Sequence, residues 1–169
     1  RAFHNIKNGR PGPVVVEVPA DISSSQISFD INSYKPPIKG YHAPSFSDIS
    51  KAIEKLLTAK NPLIVAGQGV LFSRSTKQLQ KLAEMINVPV YTTMPGKSAI
   101  NETHPLSLGS GVQTTTLQAR KWLDESDVIL ALGTSMTNTP YAQSIDTSNK
   151  FLIHNTDNYD DINKDHYAD

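Results

Sequence analysis

The chain has 169 residues, room for one domain with an appendage, and its 16 Lys and Arg against 16 Asp and Glu leave neither net charge nor a basic stripe for nucleic acid. Apolar content of 38% with a negative mean hydropathy suits a soluble globule, and no apolar run reaches the length of a membrane span. The absence of cysteine excludes disulfides, Cys-ligated zinc, iron–sulfur clusters and thiol catalysis. The chain opens on Arg1 with no charged-then-apolar leader, so it is expected to be a cut piece without a secretory signal, cytoplasmic by default.

The first patterned segment is a stiff turn, Gly9 to Pro13, feeding the β-branched run Val14 to Val18, which Pro19 ends. A short apolar run between breakers reads as a strand buried on both faces of a parallel sheet. Too little chain precedes it to build that sheet, so it is expected to be the last strand of another domain. It must then pack at the edge of a second sheet, pair with another copy, or stay disordered. Residues 23 to 44, with three serines, Pro36-Pro37, Gly40 and Pro44, read as an interdomain linker.

From Ser45 the pattern becomes regular. Ser45 or Ser47 caps a helix whose apolar positions Ile49, Ala52, Ile53, Leu56 and Leu57 keep helical spacing up to Asn61-Pro62. Leu63 to Ala66 is a short buried strand ending at Gly67-Gln68-Gly69. Ser75 with Gln78 has capping-box spacing and starts a helix with Leu79, Leu82, Ala83 and Ile86 on one face. Val88 to Thr92 is the second strand, followed by a loop from Met94 through Gly96, His104 and Gly109-Ser110-Gly111. Residues 114 to 125 predict a helix, 128 to 132 a third strand, 140 to 145 a short helix, Phe151 to His154 a fourth strand, and 160 to 164 the start of another helix. Strand–helix alternation with strands apolar throughout predicts an α/β fold: a doubly wound, Rossmann-like parallel sheet with helices on both faces, short of its last β-α unit.

Ligands of open α/β sheets sit beyond the carboxyl ends of the strands. Here those ends are small and polar: Gly67-Gln68-Gly69, Thr92-Thr93, Gly133-Thr134-Ser135 and Asn155-Thr156-Asp157. Such ends admit a phosphate near a helix N-terminus, and equally serve tight strand-to-helix turns for backbone reasons alone. The third glycine of the dinucleotide fingerprint is missing. Gly96-Lys97-Ser98 has Tyr91 where a phosphate loop needs glycine. His4, His42, His104, His154 and His166 are scattered without metal-ligand spacing. The acidic turn at Asp157, Asp160, Asp161 and Asp165 lacks the Gly and Glu of an EF-hand. No Gly-x-Ser-x-Gly elbow and no evident acid/base pair of carboxylates is present.

The turn and strand at residues 9 to 22 (GRPGPVVVEVPADI), the segment 61 to 70 (NPLIVAGQGV), the segment 88 to 109 (VPVYTTMPGKSAINETHPLSLG) and the segment 126 to 135 (SDVILALGTS) fall in order along nearly the whole chain. Together they resemble thiamine-diphosphate enzymes of the acetohydroxyacid synthase and pyruvate oxidase family. The resemblance makes residues 1–22 the tail of the first, pyrimidine-binding domain, 23–44 the linker, and 45–169 the central domain.

The resemblance implies a parent enzyme that uses thiamine diphosphate and Mg2+ to decarboxylate or join 2-oxo acids. Both cofactor sites and the catalytic glutamate lie in other domains; Glu17 is not that glutamate. The remaining domains are the implied partners, and the parent is a homodimer or homotetramer. In relatives whose central domain holds FAD or an adenine nucleotide, the positions matching Gly67, Gly69, Thr92, Thr93, Met94, Gly109, Gly111 and Gly133, with Asp157 at the last strand end, line the groove. Two departures count against flavin here: Thr134-Ser135-Met136-Thr137 stands where an Arg-Phe-Asp-like run is typical, and Asn155-Thr156-Asp157-Asn158 where Ile-Asp-Ile-Asp is. The alternative is a free-standing nucleotide-binding α/β module.

Overall fold

The computed structural model describes residues 1–111 and 114–169. The chain divides into two compact units, Arg1–Ala43 and Pro44–Asp169.

The first unit carries two short helices, α1 (Ala2–Lys7) and α2 (Ala20–Ser23), and a 3₁₀ turn at Ile31–Ser33. Asn8 ties it together: its Nδ2 donates to the His4 carbonyl at 3.1 Å, and its Oδ1 accepts the Gly40 amide. The expected strand at Val14 to Val18 is not formed. Residues 11–19 are irregular, and Val15, Val16 and Val18 are 84%, 65% and 58% exposed. A strand owes its stability to a neighbour that takes up its N–H and C=O groups, and this unit contains no strand to do so.

The second unit is built on five parallel strands: β1 (Pro62–Ala66), β2 (Val90–Thr93), β3 (Ser107–Gly111), β4 (Val128–Leu132) and β5 (Phe151–Asn155). Among the described residues their order is β3-β2-β1-β4-β5. The pairing of β1 with β4 is continuous from Pro62↔Val128 to Ala66↔Leu132, and β4 with β5 from Val128↔Phe151 to Leu132↔Asn155. The sheet is therefore α/β and Rossmann-like, with one strand more than the sequence pattern indicated. The addition is β3, which lies in the segment read as loop. Its sequence, Ser-Leu-Gly-Ser-Gly, has no β-branched residue, and its register against β2 is irregular between Val90 and Thr92.

Each face of the sheet buries its own core. On one face α3 (Phe46–Thr58) and α5 (Thr76–Ile86) bring Leu56, Leu79 and Ala83 against Ile64, Val90 and Leu130. On the other, α6 (Leu117–Glu125) brings Ala119 and Leu123 against Leu63, Val65 and Ile129. Both faces being covered explains why β1 and β4 are apolar at every position rather than alternating. Each large aliphatic side chain so buried contributes about 1.5–3 kcal/mol.

The helix ends follow local chemistry, with one correction. Ser45 caps α3: its Oγ accepts the Asp48 amide at 3.1 Å and donates to Asp48 Oδ2 at 2.7 Å. α5 begins after Ser75, but no capping box forms, because the Ser75 hydroxyl is engaged by Ser73 at 3.0 Å and makes no bond to the helix. α5 ends at Asn87 in the left-handed region, φ 50°, as a non-glycine C-terminal cap does. α4 (Gln68–Phe72), one short turn after β1, was not anticipated. The helix expected at 140 to 145 is absent; a single turn forms around Pro140, in which the Ala142 amide donates to the Thr139 carbonyl at 3.3 Å. That expected at 160 to 164 is a 3₁₀ turn at Tyr159–Asp161.

Candidate functional site

The sheet order places the topological switch between β1 and β4, where the chain leaves toward opposite edges. Gly67 and Gly69 follow β1, and Gly133 follows β4, so three of the nine predicted groove residues meet at this point. They meet by contact of backbones. The Gly67 amide donates to the Leu132 carbonyl at 2.8 Å, the Gly69 amide to the Gly133 carbonyl at 2.8 Å, and the Gly133 amide to the Asn155 carbonyl at 2.8 Å. A Cβ on Gly69 would stand 2.7 Å from the Gly133 Cα, and one on Gly67 2.6 Å from the Thr134 Cα. Gly133 itself has φ +59°, a conformation that L side chains disfavour.

Gly96, which sequence reasoning did not include, belongs to the same junction. A Cβ there would overlap the Ala66 carbonyl and stand 2.9 Å from the Gly67 Cα. Its amide donates to Thr93 Oγ1 at 3.2 Å, which holds the 3₁₀ turn Met94–Gly96 over the end of β1. The signal for Gly96 was the Pro95-Gly96 turn directly after a buried strand.

The other predicted residues spread outward from this junction. Thr92, 3% exposed, bonds through Oγ1 to the Gly109 carbonyl at 3.2 Å and to the Ser110 hydroxyl at 3.0 Å, locking the ends of β2 and β3 together. Gly109 has φ +85° with open space where a side chain would go. Gly111 packs on the ring of the buried Tyr91, so that a Cβ would stand 2.7 Å from Cζ. Burial pushes the Tyr91 phenol upward in pKa. Met94 is 57% exposed, and Asp157 is exposed past the end of β5. The buried carboxylate at that strand end is Asp161, 5% exposed, which accepts from Thr156 Oγ1 at 3.2 Å.

The arrangement tests the fit of a dinucleotide. A phosphate cradle needs backbone N–H groups pointing into space at a strand-to-helix turn. Here the amides of Gly67, Gly69 and Gly133 already donate to the carbonyls of Leu132 at the end of β4, Gly133, and Asn155 at the end of β5, so these three amides are not free to form such a cradle.

His104 and His154 are each held by hydrogen bonds within the second unit. His104 Nδ1 accepts the Leu106 amide at 3.2 Å, which leaves Nε2–H to donate to Glu84 Oε1 at 3.0 Å. Glu84 is held below the usual carboxylate range first by the bond from Gln80, then by that from His104. His154 Nε2 donates to the Thr134 carbonyl at 2.8 Å. Among the described residues no group of three or more His, Asp or Glu is placed to hold a metal ion. No described helix is long and apolar enough to cross a membrane.

Comparison with known proteins adds to this geometry. Residues 49–169 match the family model described as the thiamine pyrophosphate enzyme central domain. The chain is 39% identical over 137 residues to a probable acetolactate synthase large subunit of Methanococcus aeolicus, covering 78% of this chain and 23% of that protein. It is 38% identical over 139 residues to a glyoxylate carboligase of Escherichia coli O157:H7, covering 82% of this chain and 23% of that protein. It is 36% identical over 138 residues to an acetolactate synthase large subunit of Cyanidium caldarium, covering 78% and 24%. The chain thus spans under a quarter of the length of these curated relatives.

Proposed function

The chain belongs to the thiamine pyrophosphate enzyme central-domain family, and from that premise we propose that it is the central domain of a longer enzyme that decarboxylates or joins 2-oxo acids. The observation that carries this reading is the match over residues 49–169, joined to similarity with proteins named for acetolactate synthesis and glyoxylate carboligation. In this reading residues 1–22 are the tail of the preceding pyrimidine-binding domain, 23–44 the linker and 45–169 the central domain. The catalytic glutamate and the residues that hold Mg2+ and the diphosphate belong to the other domains. The parent is a homodimer or homotetramer in the cytoplasm.

The chain's own contribution is architectural. The groove residues Gly67, Gly69, Thr92, Thr93, Met94, Gly109, Gly111, Gly133 and Asp157 lie at the carboxyl ends of the strands, where FAD or an adenine nucleotide would enter. The engagement of the Gly67, Gly69 and Gly133 amides by the carbonyls of Leu132, Gly133 and Asn155 counts against a dinucleotide cradle at these amides. The same bonding counts against a free-standing nucleotide-binding module.

Two measurements test the reading. Calorimetric titration of the 169-residue chain with thiamine diphosphate and Mg2+ is expected to give no heat of binding; tight binding overturns the assignment of that site to other domains. The full-length enzyme is expected to consume pyruvate or glyoxylate only when thiamine diphosphate is supplied. A flavin absorbance band in that enzyme would overturn the empty groove.

A further inference from the structure

Asn8 is followed by Gly9, and the pair is the one Asn-Gly step in the sequence. Glycine has no Cβ to stand between an asparagine side chain and the next backbone nitrogen, so that nitrogen can reach the side-chain carbonyl carbon. Gly9 has φ +67° and open space where a Cβ would be. The Asn8 side chain is also the tie of the first unit. Its Nδ2 donates to the His4 carbonyl at 3.1 Å and to the Ile38 carbonyl at 3.4 Å, and lies 3.2 Å from His4 Nδ1. Its Oδ1 accepts the Gly40 amide. His4, Ile38 and Gly40 are all exposed, so water competes for each of these bonds.

We propose that Asn8 is a site of spontaneous deamidation, held back by the tie it makes and releasing residues 38–40 when it reacts. The Gly9 nitrogen gives up its proton to solvent base and attacks Asn8 Cγ. The new N–Cγ bond forms, the Cγ–Nδ2 bond breaks, and Nδ2 takes up a proton and leaves as ammonia. One water then opens the cyclic imide at either carbonyl, giving aspartate or isoaspartate, with no change of oxidation state. Ring closure needs the Gly9 nitrogen on the Cβ side of the Cα–C bond. The extended ψ of 144° at Asn8 keeps it well away from there, and the bonds to His4, Ile38 and Gly40 hold the amide in place. Exposed bonds of this kind open locally at small cost, so the tie slows the reaction without stopping it. The product carboxylate only accepts hydrogen bonds. Both donations from Nδ2 are then lost, and a negative charge stands against the carbonyl oxygens of His4 and Ile38. Nothing in the step depends on the central-domain reading.

The 169-residue chain is aged in mildly alkaline buffer, with and without unfolding guanidinium chloride. Peptide mass spectrometry follows the exchange of NH2 for OH at each asparagine, and enzymatic methylation scores isoaspartate. Residue 8 is expected to react fastest, ahead of Asn32, which is followed by Ser33. Its rate in the folded chain should be about tenfold below that in guanidinium, because reaction waits on local opening. In guanidinium, where folding plays no part, Gly9→Val should bring residue 8 down to the rate of the other asparagines. Lys39 stands between the two tied residues Ile38 and Gly40, so trypsin should cut after it faster in the product mimic Asn8→Asp than in the parent chain. Reaction spread evenly over the asparagines, or unchanged by G9V, overturns the site. Equal rates at residue 8 with and without guanidinium overturn the tie as its restraint, and equal cutting after Lys39 overturns the release.

Discussion

The amide of Gly69 donates to the carbonyl of Gly133 at 2.8 Å, and the two Cα atoms lie so close that a Cβ on Gly69 would stand 2.7 Å from the Gly133 Cα. This contact joins the turns after β1 and β4 at the centre of the sheet. A side chain there meets backbone, which cannot swing aside as a flexible side chain can. Gly69→Ala is expected to destabilise the fold by about 1–3 kcal/mol, the usual cost of overpacking. Gly12→Ala, with nothing within 4 Å of the new Cβ and no left-handed φ, is expected to leave the urea midpoint unchanged. Equal midpoints for the two variants would refute the junction as a tight backbone contact.

The two serines that precede α3 and α5 are expected to differ in worth. Ser45 accepts the Asp48 amide, while Ser75 makes no bond to its helix. Ser45→Ala should cost about 1 kcal/mol, typical of a lost cap, and Ser75→Ala should be near neutral. Thermal unfolding of both variants, side by side, reads the difference. Comparable losses would mean that the Ser75 side chain caps α5 after all.

Asp127 fastens the start of β4 to the approach to β1. Its carboxylate accepts the amides of Lys60 at 2.8 Å and Asn61 at 2.9 Å. Partial burial pushes its pKa up, but these bonds and those from its own amide and that of Val128 prevail and hold it below the usual value. A depressed folded pKa means that the stabilisation is complete above the unfolded pKa of about 3.9 and is lost as pH falls through the folded value. Asp127→Ala is expected to lose about 1.5–3 kcal/mol at neutral pH, the range for bonds to a charged group. Its stability should also fall less steeply in acid than that of the parent chain. An unchanged acid limb would show that Asp127 does not carry this dependence.

His166 behaves in the same sense for the opposite charge. It lies in a polar groove of about 570 Å³ lined in part by Ser144, Asp146, Lys150 and Asp165, with Nδ1 3.0 Å from Thr147 Oγ1. Burial pushes its pKa down; Asp165 and Asp146 oppose this, and His154 adds to it. The folded state thus prefers the neutral ring. That preference is present in full above the unfolded pKa of about 6.5 and is lost as pH falls through the lower folded value. Stability of the chain should decline with acidity below about pH 6.5, and His166→Gln should flatten that part of the profile. NMR titration of the ring protons checks the direction: a His166 pKa above that of the exposed His42 would sink the prediction.

Where a residue's neighbours in sequence decide its environment, the outcome was legible. β1 and β4 are runs of apolar residues between turn formers, and no other element suits them. α3 shows its helix in the spacing of Ile49, Ala52, Ile53 and Leu56 and its start in Ser45. Where the environment is made by distant chain, the same reasoning failed in both directions. Val14 to Val18 has the composition of a buried strand but no neighbour in its unit to bond with, and it stays irregular. Ser107 to Gly111 has the composition of a loop, yet β2 lies alongside, and the Thr92 hydroxyl reaches Gly109 and Ser110.

The candidate site divides in the same way. By itself the sequence determined which residue types stand at the strand ends: small ones at 67, 69, 109, 111 and 133, hydroxyls at 92 and 93. It also determined, through ordered segments spread over the chain, the family to which the chain belongs. Only the tertiary structure decided what those glycines are near. Gly69 and Gly133 are 64 residues apart in the chain, and nothing local to either says that their backbones touch, because parallel pairing of β1 with β4 creates that contact. A glycine that leaves room for a phosphate and one that leaves room for another glycine look the same in sequence. They differ only in which chain the fold brings to the vacant side of the Cα.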